Sequence, residues 1–211
     1  MPSGQRTVDE MASKNRVFIL CKMCMRIYSV MHAYDRIRVE SWVHSEKGVT
    51  FDRYYKIFRE NELVAEGSSV WAIIENASKI IRVAEYADAS THDDDTCNID
   101  PIKHFKAPAD LEYEYMGEKT VLYSDIDFNG HLNNTNYPDM LLSFIPEMKY
   151  ERGAVQNAMY ADSMLINFVS EAPLGCNVKV YMSRQDEYIY MRTVRDDGKV
   201  NAEARITLKS V

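Results

Sequence analysis

Apolar and polar residues alternate most cleanly near the end of this chain, where Ala202, Ala204, Ile206 and Leu208 interleave with Asn201, Glu203, Arg205 and Thr207. A period of two puts the sets on opposite faces of a strand, so 200–208 is predicted as a half-buried β-strand with its polar set outward. The Asp196-Asp197-Gly198 turn joins it to a strand over 188–194, and 178–186 and 159–169 carry similar extended patterns. Earlier in the chain, 16–30 is a long apolar stretch. Ile37, Val39, Ser41 and Val43 then share one face against Arg36, Arg38, Glu40 and Trp42. Strands follow over 51–58 and 63–74, separated by the turn signals Ser45-Glu46-Lys47-Gly48 and Glu60-Asn61-Glu62. Ala65, Gly67, Ser68 and Ser69 let another layer approach that last strand closely.

The period changes once. After a predicted strand over 119–128, Tyr137, Leu141, Phe144 or Ile145, and Met148 recur at helical spacing. Pro138 suits the first turn of a helix over 137–148, where a missing N–H costs little. The order strand, turn, strand, tight polar turn, strand occurs at both 36–74 and 178–208, which predicts a duplicated unit. Between the copies, Pro101, Pro108 and the acidic run His92-Asp93-Asp94-Asp95 mark a solvated connection rather than a cation site. The expected division is a first half over 1–95, a linker over 96–115 and a second half over 116–211. Only a short polar stretch precedes Arg16, with Thr7 to Met11 offering a turn or two of helix. The first half is therefore expected to lack an equivalent of 119–148, its start being misplaced or truncated or its central helix absent. An apolar sheet face would then need another chain or a rearranged N-terminus to cover it.

Composition narrows the function classes. The 211 residues suffice for one large domain or two small ones sharing a core. A net charge of −7 argues against nucleic acid as the main partner, since phosphate binding wants a basic face. No run approaches the roughly 18 apolar residues of a membrane helix, and the N-terminus carries no signal-peptide core, so the cytoplasm is the expected location. Cys21-x-x-Cys24 has no second ligand pair at metal spacing and lies in a predicted strand, so buried or edge thiols are expected there.

The chemistry concentrates in Tyr123 to Tyr137, where Asp127, Asn129 and His131 alternate with Phe128 and Gly130. In an extended segment the three polar side chains would face one way. Gly130 permits a bend or a close approach. Asn133, Asn134, Thr135 and Asn136 can cap the helix that follows. An amide can stabilise an oxyanion and an imidazole can relay a proton near neutral pH, which together suit hydrolysis. The same residues could instead form an Asx-turn network that only shapes a loop.

Ser124-Asp125-Ile126-Asp127-Phe128-Asn129-Gly130-His131-Leu132-Asn133-Asn134, with Tyr137 beyond, resembles the signature of acyl-ACP thioesterases. The resemblance extends in order and pattern over Arg36 to Ile74. It implies an α+β double hot-dog fold, two curled antiparallel sheets each wrapping a central helix, with the first-half helix shortened or missing. It also implies hydrolysis of the thioester between a fatty acyl group and acyl carrier protein, without metal or organic cofactor. Asp127, Asn129 and His131 are then catalytic. Glu171 aligns with a further acid of the family, and Ala172 stands where plant members carry a cysteine. On this reading Asn129 and a backbone N–H hold the carbonyl, Glu171 or His131 activates water, and Asp127 orients the network or attacks directly. Asp125, Asn133 and Asn134 are structural. Arg16, Lys22, Arg26, Arg36 and Arg38 are candidates for the patch that meets the acidic carrier. Trp42, Tyr54, Tyr55 and Trp71 are candidates for the acyl tunnel. A homodimer and a pseudo-dimeric monomer both fit. The alternatives are an acyl-CoA thioesterase of hot-dog type and a non-catalytic acyl-binding protein.

Overall fold

A computed structural model describes residues 11, 13–76, 78–83, 97–99, 105–148 and 159–210. Its strands are β1 (Arg16–Ile27), β2 (Ile37–Lys47), β3 (Thr50–Arg59), β4 (Glu62–Glu75), β5 (Lys79–Ile80), β6 (Glu114–Thr120), β7 (Met159–Phe168), β8 (Asn177–Gln185), β9 (Tyr188–Arg195) and β10 (Val200–Ser210). All join one antiparallel sheet in the order β2-β3-β4-β1-β7-β10-β9-β8-β6, with β5 beside β4. The strands predicted from the alternation are found within a few residues of their expected ends.

The two halves meet where β1 pairs β7, with Cys24 opposite Leu165 at the middle of the paired stretch. Moving outward from that seam, β4, β3 and β2 follow one another as β10, β9 and β8 do on the other side. The repeat extends to irregularities. Val64 is the extra residue of a bulge against β3, and Asn201 is the extra residue of the corresponding bulge against β9. The Val64 carbonyl accepts from the Tyr28 and Ser29 N–H groups, at 2.8 and 3.3 Å. The Asn201 carbonyl accepts from Val169 and Ser170, at 2.9 and 3.1 Å.

The halves differ in what covers them. The second half adds β6 outside β8 and packs α1 (Tyr137–Leu142) on the sheet. Met140, Leu141 and Ile145 meet Met164, Ile166, Met191, Ala204 and Ile206 in the main core. Each such side chain taken out of water contributes about 1.5–3 kcal/mol. In the first half a smaller cluster of Met11, Phe51, Ile73, Ile81 and Val83 forms instead, while Phe18, Ile37 and Val39 keep substantial exposure. Among the described residues β2 has no partner on its outer edge.

Two elements are shorter than the spacing predicts. The strand expected over 119–128 ends at Thr120, and 123–125 form a 3₁₀ turn. The helix expected over 137–148 ends at Leu142, followed by a separate 3₁₀ turn over Pro146–Met148. Pro146 has no N–H and disfavours helical backbone at Ile145, while Phe144 and Ile145 already donate to Leu141 and Leu142 at tight three-residue spacing. Phe144 lies against Gly117 in β6, where a Cβ would come within 2.7 Å of its ring.

The acidic run at 92–95 and, of the helical turns expected over Thr7 to Met11, residues 7–10 lie outside the described residues, although Met11 has helical backbone and is buried. Among the described residues no helix is long and apolar enough to cross a membrane.

Candidate functional site

The motif folds as a tight turn closed by its own backbone. The Asp127 N–H donates to the His131 carbonyl at 3.0 Å, and the Gly130 N–H donates to the Asp127 carbonyl at 3.0 Å. Ile126 pairs with Leu132 across it. Gly130 has φ of +80°, a left-handed conformation that glycine adopts without steric cost. Asp127, Asn129 and His131 are therefore gathered by a hairpin-like turn and not by the common face of an extended strand.

Asp127 accepts from the Asn129 N–H at 2.8 Å with one carboxylate oxygen and from Asn129 Nδ2 at 3.3 Å with the other. The carboxylate is thereby committed to holding the amide, and the second Nδ2 hydrogen is left over for another acceptor. Phe128, between them, is 94% exposed at the tip of the turn.

The base of the turn is anchored below. Asp125 accepts from the Leu122 N–H at 2.9 Å and faces Lys119 Nζ at 3.0 Å. The Leu122 hydrogen bond, aided by Lys119, holds the Asp125 carboxyl below the ordinary carboxylate range. Asn133 Oδ1 accepts from the Thr135 N–H and hydroxyl, at 3.0 and 2.9 Å. Asn136 Nδ2 donates to the Asp125 carbonyl at 3.0 Å. Asp125 and Asn133 are structural, as expected, and Asn136 joins them.

The segment after β7 comes up against this turn. The Leu132 N–H donates to the Ala172 carbonyl at 2.8 Å, His131 bridges Pro173, and the Leu174 N–H donates to the Gly130 carbonyl at 3.1 Å. These bonds bring Glu171 Oε2 to 3.3 Å from His131 Nε2, with side-chain exposures of 65% and 33%. Arg195 Nη1 donates to the Glu171 carbonyl at 2.9 Å, and Arg195 Nη2 pairs with Asp197 at 2.8 Å. The structure thus gathers all four predicted residues, Asp127 and Asn129 in one pair and His131 and Glu171 in another.

Beneath lies a buried polar group that the alternation placed outward. Asn201 is 0% exposed because its bulge turns it inward beside Ala202. It contacts the Tyr137 hydroxyl and the Thr193 hydroxyl. Burial pushes the Tyr137 phenol up to about 12, so it stays protonated at neutral pH. No signal in the sequence marks the bulge that redirects Asn201.

The thiols stand apart from the chemistry. Ala172, at the position where the resemblance places a cysteine in plant members, is fully buried, and burial pushes the Cys176 thiol up. Cys21 is the extra residue of a bulge in β1, and burial pushes Cys24 up to about 11. Among the described residues no cluster of three or more His, Cys, Asp or Glu could hold a metal ion.

Two other expectations are corrected. Arg16 pairs with Glu75 at 2.8 Å in a largely buried setting and so offers no free charge to an acidic partner, whereas Arg38, paired with Glu40, stays exposed. Trp42 and Tyr54 share one face of the sheet, while strand alternation puts Tyr55 and Trp71 on the other. Those four aromatics do not line one cavity.

Residues 109–210 match the family model of the acyl-ACP thioesterase C-terminal domain. No curated protein sequence matches the chain. An acyl-ACP thioesterase structure from Bacteroides thetaiotaomicron superposes with a TM-score of 0.77 at 17% identity, over 96% of this chain and 80% of that one. The 12:0-ACP thioesterase from Umbellularia californica gives 0.79 at 14% identity, over 100% of this chain and 82% of that one. At these identities the likeness is one of fold, and the fold is the double hot-dog.

Proposed function

We propose, from the match of residues 109–210 to the family model of the acyl-ACP thioesterase C-terminal domain, that this chain hydrolyses the thioester of a fatty acyl group carried on acyl carrier protein. The observation that carries this reading is the 3.3 Å approach of His131 Nε2 to Glu171 Oε2 beside the Asp127-held amide of Asn129. The halves are taken as 1–95 and 116–211, joined by 96–115.

Asn129 Nδ2 donates its remaining hydrogen to the thioester carbonyl oxygen, and Asp127 fixes the amide so that little reorganisation accompanies charge development. Water, deprotonated by the Glu171–His131 pair, adds to the carbonyl carbon and forms the C–O bond. The negative charge collects on the carbonyl oxygen, opposite Asn129. Collapse breaks the C–S bond, and His131 returns the proton to the departing thiolate. The products are a free fatty acid and the thiol of the carrier, with one water consumed. In this scheme Asp127 positions the amide rather than attacking, a role supported by the bond that each of its oxygens accepts from Asn129.

The test is release of free fatty acid from a panel of acyl-ACPs, with the same acyl groups presented on CoA and with His131→Ala in parallel. Hydrolysis of acyl-ACP that is lost in the variant supports the reading. Faster turnover of the CoA esters moves the substrate class to acyl-CoA, and acyl binding without hydrolysis overturns the enzyme reading.

A further inference from the structure

We infer that Asn201, acting with Tyr137 and Thr193, is a positioning residue that joins the His131 turn to the Glu171 segment; the inference rests on the hydrolase reading above. Asn201 is wholly buried, and its side chain is fully engaged. Its Oδ1 accepts from Thr193 Oγ1 at 3.0 Å, and the Tyr137 hydroxyl lies 3.1 Å from Oδ1 and 2.9 Å from Nδ2. Its second Nδ2 hydrogen goes to the Ser170 carbonyl, and its own carbonyl accepts the Val169 and Ser170 N–H groups. Thr193 Oγ1 is held in turn by the Ala202 N–H at 2.8 Å.

Both ends of this network lead to the site. Ser170 immediately precedes Glu171. Tyr137 opens α1 directly after the Asn133–Asn136 turn that follows His131. The Asn201 amide is thus a buried node connecting the backbone that carries the acid to the first residue of the helix that follows the His131 turn. Low local polarity makes such a node stiff when every member is satisfied.

The duplicated fold supplies its own control. At the matching bulge the first half carries Val64, fully buried, whose carbonyl accepts from Tyr28 and Ser29 just as that of Asn201 accepts from Val169 and Ser170. Ile57, opposite Ala65, takes the place of Thr193, opposite Ala202. The bulge and its backbone bonds belong to the architecture and need only an apolar side chain. An amide and a hydroxyl buried there carry a desolvation cost that the fold does not require. They occur in the half that carries the acid and the imidazole.

Asn201→Val, which installs the first half's own residue at the bulge, tests this. The first measurement is kcat and KM on the best thioester substrate. The expected result is a kcat lower by about 10- to 100-fold with KM within about two-fold, as for a slightly misplaced catalytic group. The second measurement needs no activity. The ¹⁵N signals of the His131 imidazole should move in Asn201→Val in the direction they move in Glu171→Gln. Tyr137→Phe, which keeps volume and removes one oxygen, should shift both readouts the same way by less, and it decides the matter if Asn201→Val does not fold. A folded Asn201→Val with wild-type kcat and a wild-type His131 spectrum overturns the inference. If the wild-type protein cleaves no thioester, the hydrolase reading falls, and the His131 spectra still decide the role of Asn201.

Discussion

Arg195 and Arg59 occupy corresponding places in the two halves of the sheet, each closing the end of a strand onto a distant carbonyl. Arg195 Nη1 donates to the Glu171 carbonyl at 2.9 Å, and Arg59 Nη1 donates to the Val30 carbonyl at 3.1 Å. Each guanidinium also reaches an acid two or three residues on, Asp197 in its hairpin turn at 2.8 Å or Glu62 at the start of the next strand at 2.6 Å. The clamp is a property of the repeated fold, but only in the second half does the clamped residue carry a carboxylate.

That pairing separates a structural from a functional effect. Arg195→Gln should lower turnover by about ten-fold through a loosened Glu171, since small displacements of catalytic groups are costly. Arg59→Gln should leave turnover unchanged and lower only the melting temperature. Parallel rate and melting measurements on the two variants check this.

His131 and Glu171 are expected to act as one unit. Each of His131→Ala and Glu171→Gln should reduce kcat by about 10²- to 10⁴-fold, the range of a general acid–base group. The double variant should then be little worse than the poorer single one, because groups acting together are not additive. Fully multiplicative losses would show that the two act independently.

Gly117 should tolerate no side chain. Its φ is +143°, and a Cβ would fall 2.7 Å from the Phe144 ring. Gly117→Ala is expected to destabilise the protein by about 1–3 kcal/mol, as overpacking does. Phe144→Leu in the same chain should recover part of that loss by removing the ring while leaving the backbone strain. Chemical denaturation of the single and double variants measures both.

Asp125 gives a pH dependence of definite sign. Its folded carboxyl is held below the ordinary value by the Leu122 N–H and Lys119, so it stabilises the fold at pH above the unfolded carboxylate range, about 3.9. That contribution is lost as pH falls through the lower folded value. Asp125→Asn should therefore melt below wild type at pH 7, and the gap should shrink as pH falls below the unfolded carboxylate range. A gap that persists unchanged in acid would assign the effect to geometry rather than charge.

Much of this protein is legible from its residues alone. Strict alternation at 200–208 and 37–43, with turn residues at 45–48, 60–62 and 196–198, determines the strands locally, because period two is a property of the extended chain itself. The sequence run from Asp125 to Asn134 likewise brings an acid, an amide and an imidazole together, since residues so near in the chain cannot be kept far apart by any fold. Helix ends and the path of the motif were less legible. Pro146 cut the helix short, and backbone closure between Asp127 and His131 made a turn where alternation suggested a strand.

Long-range pairing decided the rest. His131 meets Glu171 only because the segment after β7 is tied to the motif turn, its Ala172 carbonyl accepting from the Leu132 N–H and its Leu174 N–H donating to the Gly130 carbonyl. Asn201, placed outward by alternation, is turned inward by a single extra residue in β10, and that shift depends on register against β9. Trp42 and Trp71 fall on opposite faces for the same reason. A local pattern fixes which way neighbouring side chains alternate, but which face is inner, and what it meets there, is set by contacts between segments that the pattern does not encode.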